Sequence, residues 1–360
     1  ERIPVYGADN STATAYAEDR YASHAGYDTL SDEQKQLYNA MKQAAHTFYV
    51  GSADAESVSY STGTMDCCVA VDTGSQSLNK EDVVRAISMF RNDNPVYFFL
   101  GSSFLYSTDY DFWTGKSYID MVYLSCAENC TDGTERQAER KVLENQIVTV
   151  ETKVKAGETA LEKARIAHDW LVDTITYAYD ANGDPDNSMT SHSITGVFDA
   201  QYHTAVCEGY AKSFQLLMNA AGVSNFYIVG LGNGGGHAWN MAQMDDGYYY
   251  YFDATWDDTA QTSFSKNHSP YVYDKSGWEF LYDLPDVPDA DYDLQPGTVY
   301  LDGDYTYRLF DKYAALTAYT GDSESVTVPE KVNGLPVQVI QGAFAGNTTL
   351  QTVKLPETLL

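Results

Sequence analysis

AVCEGYAKSFQLLMNAAGV (Ala205–Val223), NFYIVGLGNGGGHAWNMAQM (Asn225–Met244) and DDGYYYYFDATWDD (Asp245–Asp258) form one nearly continuous block of the 360-residue chain. In its first part Cys207, Tyr210, Phe214, Leu217 and Ala221 recur at steps of three and four, one face of a 3.6-residue period. Gly222 is placed to stop that helix. Phe226–Leu231 is a short apolar run with β-branched members and reads as a strand. A glycine-rich loop, Gly232–Gly236, leads into a second strand, His237–Met244. Asp245, Asp246 and Gly247 make a tight turn, and Tyr248–Thr255 returns as a third strand. The expectation is α+β: a cysteine-bearing helix packed on an antiparallel sheet.

The chemistry of this block centres on Cys207. A cysteine in the first turn of a helix sits at the positive end of the helix dipole, which favours thiolate over thiol. If Asp245–Gly247 form a three-residue loop with Gly247 left-handed, Met244 pairs with Tyr248 and His237 lies opposite Thr255. Asp253 is then the diagonal neighbour of His237 on the same face of the hairpin; a two-residue loop would put the two on opposite faces. A carboxylate can hold the imidazole from behind while its other nitrogen faces Cys207. That is the relation of nucleophile, base and orienter in an activated-thiol site. Singly, each residue has a commonplace reading: a small core cysteine, a satisfied histidine, a capping aspartate. The combination argues for function.

CEGYAKSFQLLMNAAGV followed by GHAWN and FDATWDD resembles the catalytic core of the transglutaminase-like superfamily. The likeness extends upstream to HDWLVDTITYAYD (His168–Asp180), which is similar to the segment preceding the cysteine in bacterial members. The resemblance implies a papain-like fold with Cys207 as nucleophile, His237 as base and Asp253 as orienting acid. It implies a cysteine-dependent acyl-transfer enzyme acting on protein or peptide amides through a thioester, with cross-linking, deamidation and proteolysis all open. The reading from another class is a non-catalytic surface binding or adhesion protein. Gln201, six residues before Cys207, is a candidate oxyanion donor beside the Cys207 backbone N–H; Tyr202, Trp239 and Trp256 are further cleft candidates.

Two metal readings fail on spacing. DANGDPDN (Asp180–Asn187) is oxygen-rich, but Gly183 is misplaced for an EF-hand and the twelfth position is Ser191, not glutamate. His203 and Cys207 lie four apart, yet only two ligands are visible. No metal or cofactor is expected.

Formal net charge is −29, from 22 Lys plus Arg against 51 Asp plus Glu. Such a field repels nucleic acid and anionic lipid surfaces. With 30 tyrosines and 14% aromatic residues the chain is nevertheless a core-forming one, of a composition common on exported surfaces. No stretch reaches the roughly 20 apolar residues of a membrane helix. Glu1 is no natural start, so the expectation is a secreted or cell-surface protein with its export signal removed. Of the five cysteines, an odd count leaves at least one unpaired, read here as Cys207. Cys67, Cys68, Cys126 and Cys130 read as an oxidised pair or as plain buried thiols.

Three regions are expected. Residues 1–157 form an amino-terminal α+β region packed on the core. Within it, 1–29 is a polar lead-in, Ser31 with Gln34 is a capping box, Lys80–Arg91 is a helix, and Val58–Val71 and Val96–Tyr123 hold antiparallel strands. Thr134 with Gln137 reads as a second capping box, opening a helix that ends at Gly157. Residues 158–292 form the catalytic core, beginning with a helix over Glu158–Val172; Ser269–Tyr282 is expected to pack on it. Residues 293–360 are a connector and a truncated β-rich segment. There VTVPE (Val326–Glu330) recurs as VKLPE (Val353–Glu357) 27 residues later, around IQGAFAGNTTLQTV. This resembles the BspA-like leucine-rich repeats of bacterial surface proteins, implying a host or cell-wall partner beside the protein or peptide substrate.

Overall fold

The computed structural model describes residues 5–7, 15–75, 77–232, 235–245, 247–260, 273–274, 284–285, 287, 298–310, 312–340 and 342–359. The lead-in is more ordered than its polarity implies. Val5–Gly7 (β1) pairs in parallel with Gly63–Asp72 (β3), and Tyr21 is buried, its phenol donating to Glu151 at 2.7 Å. Asp32–Val50 (α1) starts at the expected box: Ser31 Oγ accepts the Gln34 N–H, and Gln34 Oε1 accepts the Ser31 N–H. Glu56–Tyr60 (β2) hairpins onto β3, and Lys80–Asp93 (α2) follows. Leu100–Asp111 (β4) and Lys116–Cys126 (β5) complete a sheet of order β1-β3-β5-β4, with β2 on β3.

Gly133–Lys155 (α3) corrects the second capping box. Asp132, not Thr134, is the cap: its carboxylate accepts the Thr134 and Glu135 N–H groups at 2.8 Å each. A carboxylate two residues earlier satisfies the first orphan donors of the helix and leaves the Gln137 amide to donate to the Tyr49 and Gly51 carbonyls. Ala160–Thr174 (α4) starts two residues later than expected because Thr159 caps it through the Glu162 N–H.

Thr176–Tyr177 (β6), Ile194–Phe198 (α5) and Thr204–Ala205 (β7) lead to the cysteine helix, Cys207–Ala220 (α6); β6 and β7 pair in parallel. Gly222 terminates α6 at φ +71°, with the Gly222 N–H on the Asn219 carbonyl and the Val223 N–H on that of Met218. That paired arrangement satisfies two orphan carbonyls and needs a residue without a Cβ. Helix α6 packs on Asn225–Gly232 (β8) and Gly235–Gln243 (β9), which with Tyr249–Phe252 (β10) form the expected antiparallel sheet. Gly247 is left-handed at φ +87°, and the Met244 N–H donates to the Tyr248 carbonyl, as the register argument requires. The third strand is shorter than expected. It ends at Phe252 because Asp253 opens a short helix, Ala254–Ala260 (α7). Tyr273–Asp274 (β11) adds to β8; the rest of 269–282 and most of the connector lie outside the described residues.

One hydrophobic core runs from Tyr21 and α1 through β3, α2, α3 and α4 to α6, Phe252 and Ala254. The amino-terminal region and the region around α6 are therefore joined by shared packing rather than by a linker. At about 25 cal/mol per Å² of apolar surface, splitting such a core would expose side chains worth ~2 kcal/mol each.

The carboxy-terminal segment has its own small cluster around Tyr307, Leu316 and Val337. It comprises Thr298–Asp302 (β12), Tyr305–Leu309 (β13), Ala314–Tyr319 (β14), Ser325–Thr327 (β15), Lys331–Val332 (β16), Leu335–Ile340 (β17) and Thr352–Lys354 (β18). β15 and β18 run in parallel, Ser325 opposite Thr352 and Val326 opposite Val353, the same 27-residue offset that separates the two sequence motifs. No described helix is long and apolar enough to cross a membrane.

Candidate active site

Helix α6 begins at the nucleophile candidate itself. Val206, its N-cap, has no side-chain acceptor to offer, and it bonds backward to Ser191 O at 3.0 Å. Among the described residues, the backbone N–H groups of Cys207 and Glu208 have no protein acceptor. Two donors at a helix amino terminus, beside a half-buried sulfur, suit an oxyanion.

The hairpin delivers the other two residues. His237 on β9 is buried, and its Nε2 lies 2.7 Å from Asp253 Oδ2. Cys207, the first residue of α6, is near enough to the imidazole to favour its charged form. Burial by itself would lower the pKa of His237 from 6.5, but Asp253 and Cys207 outweigh it and hold it at about 9. The imidazolium is therefore the resting form at neutral pH, with a proton ready for a leaving group.

Asp253 has two tasks. Its Oδ1 accepts the Trp256 N–H at 3.1 Å and its carbonyl accepts the Asp257 N–H, so the carboxylate that orients His237 also caps α7. A carboxylate fixed by a helix end cannot swing away from the ring it holds. Trp256 then stacks on His237, ring centroids 4.2 Å apart and planes within 9°. The stack requires Gly232: a Cβ there would stand 2.6 Å from the Trp256 ring. Trp239 flanks the imidazole at 5.8 Å. Of the seven sequence candidates, Cys207, His237, Asp253, Trp239 and Trp256 come together. Gln201 and Tyr202 are exposed on the turn before β7, where their backbone N–H groups bond Asp199 rather than reach the triad. His203 sits on the same turn, outside α6, and no described group of side chains could hold a metal ion. The turn at 180–187 closes on itself through Asp180, which accepts the Asn182 and Asp184 N–H groups. Cys67, Cys68, Cys126 and Cys130 are buried free thiols.

Sequence reasoning missed three features. Glu208, directly after Cys207, is clamped between His192 Nδ1 and Lys212 Nζ at 2.7 Å each. Burial pushes its pKa up, but Lys212 and the hydrogen bond to His192 prevail and bring it to about 2. Glu208, His192 and Lys212 line a cavity of about 520 Å³ whose opposite wall is the amino-terminal region, including Arg91, Tyr97 and Phe98. Val229, which packs with Cys207 around Ala211, Tyr227 and Ala238, lines it too. Finally, a second His–Asp pair lies behind the first: His168 Nε2 is 2.8 Å from Asp257 Oδ2, both buried. A helical HDW run hinted at His168, but nothing local pointed to a partner 89 residues away.

The model of the transglutaminase-like superfamily matches residues 148–254, which hold Cys207, His237 and Asp253. Among solved structures, the chain is similar to a TGase at 15% identity and TM-score 0.30, over 62% of this chain and 60% of that one. It is similar to the periplasmic domain of TgpA from Pseudomonas aeruginosa bound to ethylmercury at 12% identity and TM-score 0.27, over 40% of this chain and 58% of that one. It is also similar to a candidate cysteine protease from Cytophaga hutchinsonii at 16% identity and TM-score 0.25, over 42% and 64%. The chain thus spans about 60% of the length of these structures. No curated protein matches it.

Proposed function

We propose, taking the transglutaminase-like core as the premise, that the protein is a cysteine-dependent acyl-transfer enzyme acting on amides of proteins or peptides. The observation that carries the reading is the His237 ring, held through Nε2 by a helix-capping carboxylate and close to a thiol at a helix amino terminus. Cys207 Sγ attacks the amide carbon, and the carbonyl oxygen, becoming an oxyanion, is met by the Cys207 and Glu208 N–H groups. The His237 imidazolium gives its proton to the departing amine, leaving a thioester and a neutral ring. The ring then takes a proton from the incoming acceptor, which attacks the thioester and releases Cys207. An amine acceptor yields a cross-link; water yields deamidation or proteolysis.

A cavity of about 520 Å³ beside Glu208, the residue after Cys207, has walls from both the core and the amino-terminal region and could seat part of a peptide donor. An acidic, tyrosine-rich surface supports export, and the 27-residue parallel repeat at β15 and β18 supports a leucine-rich segment that contacts a cell-wall or host surface. Incubation with a glutamine peptide, then mass spectrometry of the intact protein, tests the enzyme. The expected result is an acyl adduct on Cys207 that water or a primary amine removes. An unlabelled, unreactive Cys207 with avid binding of the same peptide would instead make the protein a non-catalytic binding module. Cell fractionation tests export, and recovery solely in the cytosol would refute it.

A further inference from the structure

The pair behind the triad has a feature that a simple ion pair lacks. His168 Nε2 lies 2.8 Å from Asp257 Oδ2, and Nδ1 lies 2.9 Å from Asp169 Oδ1. A neutral imidazole has one N–H and could donate to only one carboxylate; satisfying both requires the imidazolium. His168 is only 7% exposed and Asp257 1%, so this is a buried cation fixed at both ends.

What it fixes is α7. His168 belongs to α4 and Asp257 to the first turn of α7, so the pair ties the two helices together. At its first turn α7 carries both groups that hold the catalytic ring. Asp253 is its cap, with Oδ2 on His237 Nε2, and Trp256 stacks on the imidazole at 4.2 Å. Asp257 follows Trp256 directly and bonds through its own N–H to the Asp253 carbonyl at 3.0 Å. α7 has only seven residues, and a helix that short does not hold its own geometry. An external anchor must set where its first turn points. Tyr210, on the helix of the nucleophile, adds a third tie by donating to Asp258 Oδ2 at 2.7 Å.

We propose that His168 is a positioning residue for the acyl-transfer reaction: through Asp257 it sets α7, and through α7 it places Asp253 and Trp256 against His237. This rests on the activated-thiol reading of Cys207 but concerns a residue that touches neither sulfur nor substrate. An ångström of misplacement in such a relay can cost about a hundredfold in rate.

The test uses the full chain and reads Cys207 directly. Iodoacetamide labelling of each cysteine, mapped by peptide across pH 5 to 10, is compared for the parent, His168→Gln, Asp257→Asn and the double variant. In the parent, Cys207 labels fastest of the five cysteines. In His168→Gln, which keeps one hydrogen bond but not the charge, Cys207 labelling at neutral pH falls about tenfold and its pH profile shifts. Turnover of a glutamine peptide falls through kcat with KM within about twofold. The double variant, with neutral partners, recovers part of both losses. If His168→Gln does not melt cooperatively, Asp257→Asn carries the test, since its amide oxygen still accepts from His168; a shifted Cys207 profile supports the proposal. A lowered melting temperature with the parent's labelling profile and kcat, in either folded variant, reduces His168 to a structural role and overturns it. If Cys207 in the parent is no more reactive than Cys67 or Cys126, the activated-thiol reading falls first and takes the inference with it.

Discussion

Two histidine–aspartate pairs stand four residues apart along the same short helix. His237 meets Asp253, which caps α7, and His168 meets Asp257 one turn on. The side chains are the same, both pairs are buried, and the distances are 2.7 and 2.8 Å. They differ in the second neighbour of the ring. For His237 the neighbour beyond Asp253 is a thiol, Cys207; for His168 it is another carboxylate, Asp169. A histidine between an acid and a thiol can shuttle a proton, whereas one between two acids is a fixed charge. Burial opposes protonation in both rings, and in both the carboxylate partners raise the pKa above 6.5. The neighbour, not the residue type or its burial, assigns the role.

Substitutions can break that contrast, and the largest effect is expected at the thiol. Cys207→Ala should lower turnover by at least about 10⁴-fold and leave a cooperative melt, because only the reacting atom is lost. Next, Asp253→Ala should cost roughly 10²- to 10³-fold in kcat, with Asp253→Asn retaining more because its amide oxygen can still accept from the ring. Asp257→Ala should cost less in kcat, about tenfold, because it acts on the ring only through α7, and it should also lower stability by roughly 3 kcal/mol, since it strips a buried imidazolium of one partner. Thermal melts and turnover of both variants decide the matter. A dead Asp257→Ala beside a fully active Asp253→Ala would exchange the two roles.

The third expectation is a pH effect. Acylation needs the His237 proton, so its rate should fall as pH rises through about 9. In Asp253→Ala that alkaline limb should move down toward 6.5, the ordinary value. The sign for stability is the same. A raised folded-state pKa contributes fully below 6.5 and is lost as pH rises through about 9, so the melting temperature should decline across that window. An alkaline limb that ignores the Asp253 substitution would detach the carboxylate from the ring.

The smallest effect should come from the far end of the chain. A protein ending near Pro296 keeps the whole core from Tyr21 to Ala254 and loses only the separate cluster around Tyr307. Its core melt and Cys207 labelling should match those of the full chain. Loss of cooperative melting would place the carboxy-terminal segment inside the core.

Much of the site was legible because its determinants are local. The spacing of Cys207, Tyr210, Phe214 and Leu217 dictates a helix face, and a left-handed Gly247 dictates the hairpin register that brings His237 and Asp253 to one side. The end of the third strand was misplaced for a local reason as well. Tyr248–Thr255 alternates well enough for a strand, but Asp253 followed by Trp256 and Asp257 is also a cap with an acid in its first turn, and the cap prevails. At α3 Asp132 likewise displaced Thr134.

The sequence by itself determined the helix, the register and the meeting of His237 with Asp253 beside the helix of Cys207, because hydrogen-bond period and strand alternation propagate along a chain from one residue to the next. Only the tertiary structure decided that Glu208 is clamped, that the amino-terminal region walls the cavity, and that His168 meets Asp257 across 89 residues. Those contacts depend on how α2, α4 and α7 approach one another in a shared core. That approach is set by the summed packing of side chains distant in sequence, which no local pattern encodes.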